Sequence, residues 1–383
     1  MILSMLALLV GCAPSTDLED TADTSTEADA DTDADTDTDT DTDADSDADS
    51  DSDADADPQS TALAATTNYS VGALTTFDLD SRAATDVADI ASDSALIVEG
   101  DYAIQLGRLG FDYVRLYTLG DWSNPLEFSL AEGSNPQDAH FCADNLFISQ
   151  YGLDKIAIYS STGNPVGSID LSSYSDADGS PEAAGIVKDG DRLFVALQIM
   201  NSEDFSSAGP GQIIEIDCAA QSITNEWEVG VNPRIQGHPD DGELLFVRTG
   251  LFGSPDGAVH ILNVADGSLE EVVKESDVGG DIAGLVLASS GRALLHVYTP
   301  SYASQLYCVD ADGAGMTQLG GDLPYSNGPW INDQDEAWIG VSDDWQTEEA
   351  DGGVMIIDVD ACQDLTSDGL VTSTLGVSSV SFY

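Results

Sequence analysis

The chain reads as an all-β protein, a seven-bladed β-propeller closed by pairing its N- and C-terminal strands and preceded by an export signal and an acidic linker. Three observations predict this. The apolar runs of the C-terminal 320 or so residues are four to six residues long, rich in β-branched and aromatic side chains, and bounded by Gly, Asp and Ser. They recur at intervals of about 47 residues, with about four strands in each, which is the period of a propeller blade. Strand-like segments without partners are left over at both ends, and joining them completes a ring.

The first element is residues 1–12. Ile2 to Val10 is apolar but far short of the roughly 20 residues that span a bilayer, so it has the length of a signal h-region. Leu9-Val10-Gly11-Cys12 resembles the bacterial lipobox, although no Lys or Arg precedes it. That resemblance implies cleavage before Cys12 and lipidation of its thiol, which anchors the mature chain to a membrane. Several acyl chains at about 0.8 kcal/mol per buried methylene hold firmly where one does not. The expected location is the bacterial outer membrane or cell surface.

Residues 13–64 are the linker, made almost wholly of Asp, Thr, Ser and Ala, with Asp at every odd position from Asp29 to Asp57. Nothing there is apolar enough to offset the entropy of folding, so the segment is expected to be disordered. Mutual repulsion stretches it toward about 3.3 Å per residue, on the order of 170 Å in all.

Residues 65–383 form the propeller domain. Of the 71 acidic residues in the chain, 20 lie in residues 1–57, leaving 51 against all ten Lys and Arg, a net charge near −41. Such a surface repels phosphate backbones and anionic headgroups, which argues against nucleic acid as a partner. The expected partners are the membrane, through the lipid, and a small-molecule or protein ligand bound by a monomer.

Within the domain, second strands are read at Asn145–Ile148, Leu193–Ala196, Leu244–Val247, Leu294–Val297 and Ala337–Gly340, each followed after a loop by a third strand such as Ile213–Asp217 or Val354–Asp358. Six repeats fit between about Ser92 and Gly376. The seventh blade combines Val377–Tyr383 as an inner strand with Leu74–Asp80 and Thr85–Ile90 as outer ones, removing the exposed edge of an open ring. Asn135-Pro136 and Asn232-Pro233 stand before inner strands, and Ile169-Asp170-Leu171 lies on an outer one. In these features the domain resembles YVTN-type, lactonase-like or quinoprotein-like propellers, and most closely the Asp/Thr-tethered propeller lipoproteins of bacterial surfaces. The resemblance is architectural and carries no catalytic motif.

Catalytic patterns are sparse. The chain has no Gly-x-Ser-x-Gly elbow, no Ser-x-x-Lys, no His-Glu-x-x-His and no Cys-x-x-Cys-His. The resemblance leaves one alternative, a metal-dependent lactonase-like hydrolase or quinoprotein-like enzyme. No catalytic residue is assigned and no cofactor is expected, with one candidate for Ca²⁺ at Asp176 and Asp178 joined by Glu182. Their Asp-x-Asp-Gly stretch lacks the closing glutamate of an EF-hand, and its Asp and Gly suit a turn between strands better than a calcium cage.

The strongest functional signal is positional. Each loop between second and third strands carries an aromatic residue: Phe111, Tyr151, Phe205, Phe252, Tyr302 and Trp345. These loops share a face with the connections between blades. Trp330 is placed beside them at the start of an inner strand, and Arg108 and Arg248 flank their blades' loops. Aromatic and arginine side chains supply large rigid contact area and forked hydrogen bonding, so this face is the expected ligand site. Inward packing between blades is the competing role for the same rings. An exported chain meets an oxidising compartment, so Cys142, Cys218, Cys308 and Cys362 are candidates for two disulfides in any of three pairings, with buried free thiols as the alternative in a domain whose core is large enough without them.

Overall fold

The computed structural model describes residues 59–238, 241–310, 312–324, 326–342 and 352–383. Cys12, the Asp29–Asp57 tract and Trp345 lie outside the described residues. Among the described residues the strands form seven antiparallel sheets. Blade 1 comprises Ser94–Glu99, Tyr102–Gly107, Tyr113–Thr118 and Asp121–Ser129, and blade 2 Pro136–Cys142, Asn145–Gln150, Lys155–Ser160 and Pro165–Asp170. Blade 3 follows as Ala183–Asp189, Arg192–Leu197, Gly211–Asp217 and Ser222–Gly230, and blade 4 as Arg234–His238, Asp241–Arg248, Ala258–Asn263 and Ser268–Lys274. Blade 5 is Asp281–Leu287, Arg292–Tyr298, Ser304–Asp310 and Thr317–Leu323. Blade 6 is Ser326–Ile331, Glu336–Ser342 and Gly352–Asp358, its outer edge split into Gln363–Asp364 and Val371–Ser373.

Blade 7 closes the ring. Its inner strand Gly376–Phe382 comes from the C-terminus and pairs antiparallel with Thr61–Thr67, placing Ala64 opposite Val380. Gly72–Asp78 and Ala84–Ile90 complete the sheet. The inner strands then touch in cyclic order, blade 7 to blade 1 and onward to blade 6 and back to blade 7. The propeller therefore begins at Thr61, inside the stretch whose composition matches the linker. What separates Thr61–Thr67 from the linker is burial, because Ala62, Leu63, Ala64 and Ala65 are all but fully enclosed.

Successive side chains of a strand point to opposite faces of its sheet, and here both faces are covered. Leu193, Val195 and Leu197 pack toward blade 2, while Phe194 and Ala196 pack toward blade 4. This explains why second and third strands read as continuous apolar runs. Among the described residues the core is accordingly divided into seven clusters, each shared by two neighbouring blades.

Two disulfides cross such seams. Cys142 of blade 2 bonds Cys218 of blade 3, with Cα atoms 5.7 Å apart, and Cys308 of blade 5 bonds Cys362 of blade 6 at 6.0 Å. Of the three pairings open to the sequence, this one is set by which blades are adjacent.

Candidate functional site

Because each blade is an antiparallel meander, its second-to-third loop and the connection to the next blade emerge at one end of the ring. Asn135 and Asn232, at φ 43° and 51°, turn the chain into the inner strands of blades 2 and 4. The left-handed conformation costs Asn less than most residues. Each also fixes a neighbouring loop: Asn135 Oδ1 accepts the Leu109 amide at 3.2 Å, and Asn232 Nδ2 donates to the Gly250 carbonyl at 3.0 Å. Asp112, buried beside Phe111, accepts from the Gly133 and Asn135 amides and the Ser134 hydroxyl. The rim is thus built on backbone tied by side chains.

Phe111, Phe205, Phe252 and Tyr302 stand on this rim between 47% and 60% exposed, so they do not pack inward between blades. Tyr151 is half-buried, and burial pushes its hydroxyl up to about 12. The closure of blade 7 adds Tyr69 to the set, in the loop between Thr61–Thr67 and Gly72–Asp78 and 46% exposed. Sequence reasoning missed it because its blade's second strand was hidden in linker-like composition. Phe252 and Tyr302, from neighbouring blades, bring their ring centroids within 5.7 Å, and Tyr298 stands edge-on to Phe252 at 6.0 Å.

Trp330 is not part of this rim. Its strand starts at Ser326 and takes in Gly328-Pro329 at a register shift, so Trp330 is the next-to-last residue. It lies at the far end of the channel, where it lines an axial cavity of about 310 Å³ with Gln236, Val286, Val380 and Phe382. In the sequence this strand reads as starting at Trp330, whereas it begins at Ser326 and includes Pro329, since an inner edge strand tolerates a missing N–H.

Arginines gather where the aromatics stand. Arg108 follows the second strand of blade 1, with Nε donating to Asp93 Oδ1 at 2.5 Å and Nη1 to Gln137 Oε1 at 3.4 Å. Arg248 ends the second strand of blade 4, and its Nη1 donates to the Ile282 carbonyl at 2.9 Å. Arg234, which sequence reasoning missed, opens the inner strand of blade 4 directly opposite Arg248. With its amide oxygen turned toward the guanidinium, the buried Gln198 accepts from Arg234 Nε at 3.1 Å and Nη2 at 3.3 Å. Desolvation lowers the proton affinity of both groups, although Arg234 remains open to solvent at the mouth. Arg248, further depressed by the charge of Arg234 and partly relieved by Glu275, falls to about 9.

The Asp176–Glu182 connection lies on the same side, but its carboxylates are engaged by the protein. Asp176 accepts the Asp178 amide, Asp178 accepts the Ser180 and Ser202 amides, and Glu182 accepts the Met200 amide at 2.7 Å and the Ser180 hydroxyl at 2.5 Å. Among the described residues, no group of three His, Cys, Asp or Glu side chains is arranged to hold a metal ion. Burial pushes the Glu182 carboxyl up to about 7.

Two histidines of the inner half of the blades are held by neighbouring groups. His296 is buried, with its ring nitrogens 3.2 Å from the Gly328 carbonyl and 3.0 Å from Ser326 Oγ, and burial lowers it to about 4. His140 meets Glu99 at 3.2 Å toward the far end of the channel. Burial raises Glu99, but bonds from His140 and Lys188 outweigh it and hold the carboxyl down to about 2.

No known protein family matches the chain, and no curated protein does. Solved structures do. A protein from Bacteroides uniformis described as a putative 6-phosphogluconolactonase is similar at TM-score 0.61 and 12% identity, over 85% of this chain and 100% of that one. A second putative 6-phosphogluconolactonase, from Bacteroides fragilis, is similar at TM-score 0.60 and 13% identity, over 85% and 98%. A streptogramin B lyase aligns at TM-score 0.54 and 14% identity, over 75% and 92%. The likeness is one of fold. The chain is a seven-bladed propeller, and at these identities the chemistry of those proteins does not transfer to it.

Proposed function

We propose that this protein is a binding module that captures its ligand on the rim carrying the second-to-third loops, held at a bacterial surface by a lipid on Cys12. One observation carries the reading: Tyr69, Phe111, Phe205, Phe252 and Tyr302, from five different blades, all stand exposed at the same end of the ring. Packing alone gives no reason to repeat a solvated aromatic blade after blade, and exposed apolar clusters rimmed by polar residues mark interaction sites. Export is supported by the two disulfides across blade seams, since such bonds persist in oxidising compartments.

The test is a thermal-shift screen of a small-molecule fragment set against the full chain and against the double variant Phe252→Ala, Tyr302→Ala. Fragments that raise the melting temperature of the native chain but not of the variant support the rim site. A set of hits that stabilises both proteins equally rejects it.

A further inference from the structure

In a chain with 71 acidic residues and ten basic ones, a cation that has no carboxylate beside it is conspicuous. Arg82, Arg108, Arg115, Lys188, Arg192 and Lys274 each pair with a carboxylate. Lys155, Arg234, Arg248 and Arg292 have no such ion pair among the described residues, and of these four Arg234 and Arg248 face each other across a strand pair. Residues directly opposite project from the same face of a sheet, and like charges so placed destabilise it. Neither guanidinium can escape by losing its proton at neutral pH. Glu275 offsets part of the charge of Arg248 without forming an ion pair with it, and the groups bonded directly to the two guanidiniums, Gln198 and the Ile282 carbonyl, are neutral oxygens. Arg108, from blade 1, is close enough to add its field at Arg234.

The geometry points to an oxyanion site at the channel mouth, in which Arg234 and Arg248 clamp the carboxylate or phosphate group of a small-molecule ligand. This rests on the rim reading above and names the ligand's chemistry. The two arginines stand opposite each other in the strand pair, Arg234 held by Gln198 of blade 3 and Arg248 by Ile282 of blade 5, and each brings forked donors matched to an oxyanion's geometry. Gln236, two residues along the strand and therefore on the same face as Arg234, lines the axial cavity about 7 Å further in. Tyr151 is close enough to act on the charge of Arg234, so an anion at the arginines lies near one rim aromatic and near the channel, and a small molecule suits a channel mouth better than a flat macromolecular partner does.

The experiment is titration calorimetry of the full chain at low ionic strength with inorganic phosphate and, separately, with citrate. Three proteins are compared: native, Arg234→Gln, and Arg292→Gln, which makes the same charge change on blade 5, away from Arg234. The expected result is one saturable site for at least one anion, weakened about tenfold or more by Arg234→Gln and unchanged by Arg292→Gln. Binding of phosphate alone assigns a phosphate group, and binding of citrate alone a carboxylate. Melting temperature provides a second readout, since removing the like-charge pair leaves Arg234→Gln at least as stable as native without anion, and free of the upward shift that the anion gives the native chain. Native protein that binds neither anion, or equal binding by native and Arg234→Gln, overturns the proposal. Fragment hits that depend on Phe252 and Tyr302 but ignore Arg234→Gln leave the rim site standing and reject the oxyanion site alone.

Discussion

Phe252 and Tyr302 come from adjacent blades, stand 56% and 57% exposed, and hold their rings 5.7 Å apart at a tilt of 32°. The pair bridges two loops at the surface and fills no part of the core. Replacing both with Ala removes little buried area, so unfolding free energy should fall by no more than about 1 kcal/mol. Denaturant unfolding measures this. A loss nearer the 3–5 kcal/mol of a deleted core aromatic contradicts a surface role.

The disulfides close segments of 76 and 54 residues. Loop-closure entropy gives each about 4 kcal/mol. Thermal unfolding with and without reductant should show a large downward shift on reduction, and thiol counting of the denatured, unreduced chain should find none among Cys142, Cys218, Cys308 and Cys362. Four reactive thiols contradict the pairing.

Glu182 makes stability depend on pH in a definite direction. Its carboxyl titrates near 4.5 when unfolded and at about 7 in the folded protein. Between those values the folded state keeps a proton that the unfolded state has lost, so this group's contribution falls as pH rises across the window. Glu182→Gln keeps an acceptor for the Met200 amide and cannot ionise. Its stability relative to native should therefore improve from pH 4.5 to pH 8, and a difference that stays flat across that range refutes the assignment.

The proposed lipid anchor is tested at Cys12. Cys12→Ser should release the protein from membranes, while deletion of Asp29–Asp57 should leave it attached and folded. Membrane fractionation followed by immunodetection reads both, and a Ser variant that still sediments with membranes argues against a lipid on Cys12.

Much of the fold is legible in the sequence because each blade is buried on both faces. Leu193–Leu197 and Val354–Asp358 announce themselves as strands for that reason, and turn residues separate them. Thr61–Thr67 does not, since an Ala/Thr run beside an Ala/Thr/Asp linker differs only in what packs around it. Tyr69 was lost with it. Trp330 reads as the start of an inner strand but is its next-to-last residue, because the strand begins at Ser326 and its inner edge accommodates Pro329. Arg234 carries no motif at all. Its significance comes from standing opposite Arg248, a relationship of register that exists only once the strands are paired. The disulfide partners depend in the same way on which blades adjoin.

The central claim is that ligands enter at the rim and not at the far end of the channel. Hydrogen–deuterium exchange of the full chain, with and without 8-anilinonaphthalene-1-sulfonate as an aromatic anion probe, tests it directly. The account predicts protection in the loops bearing Phe205, Phe252 and Tyr302 and at the Arg234 and Arg248 strand ends. Protection confined to the opposite end, around Trp330 and Phe382, would contradict it.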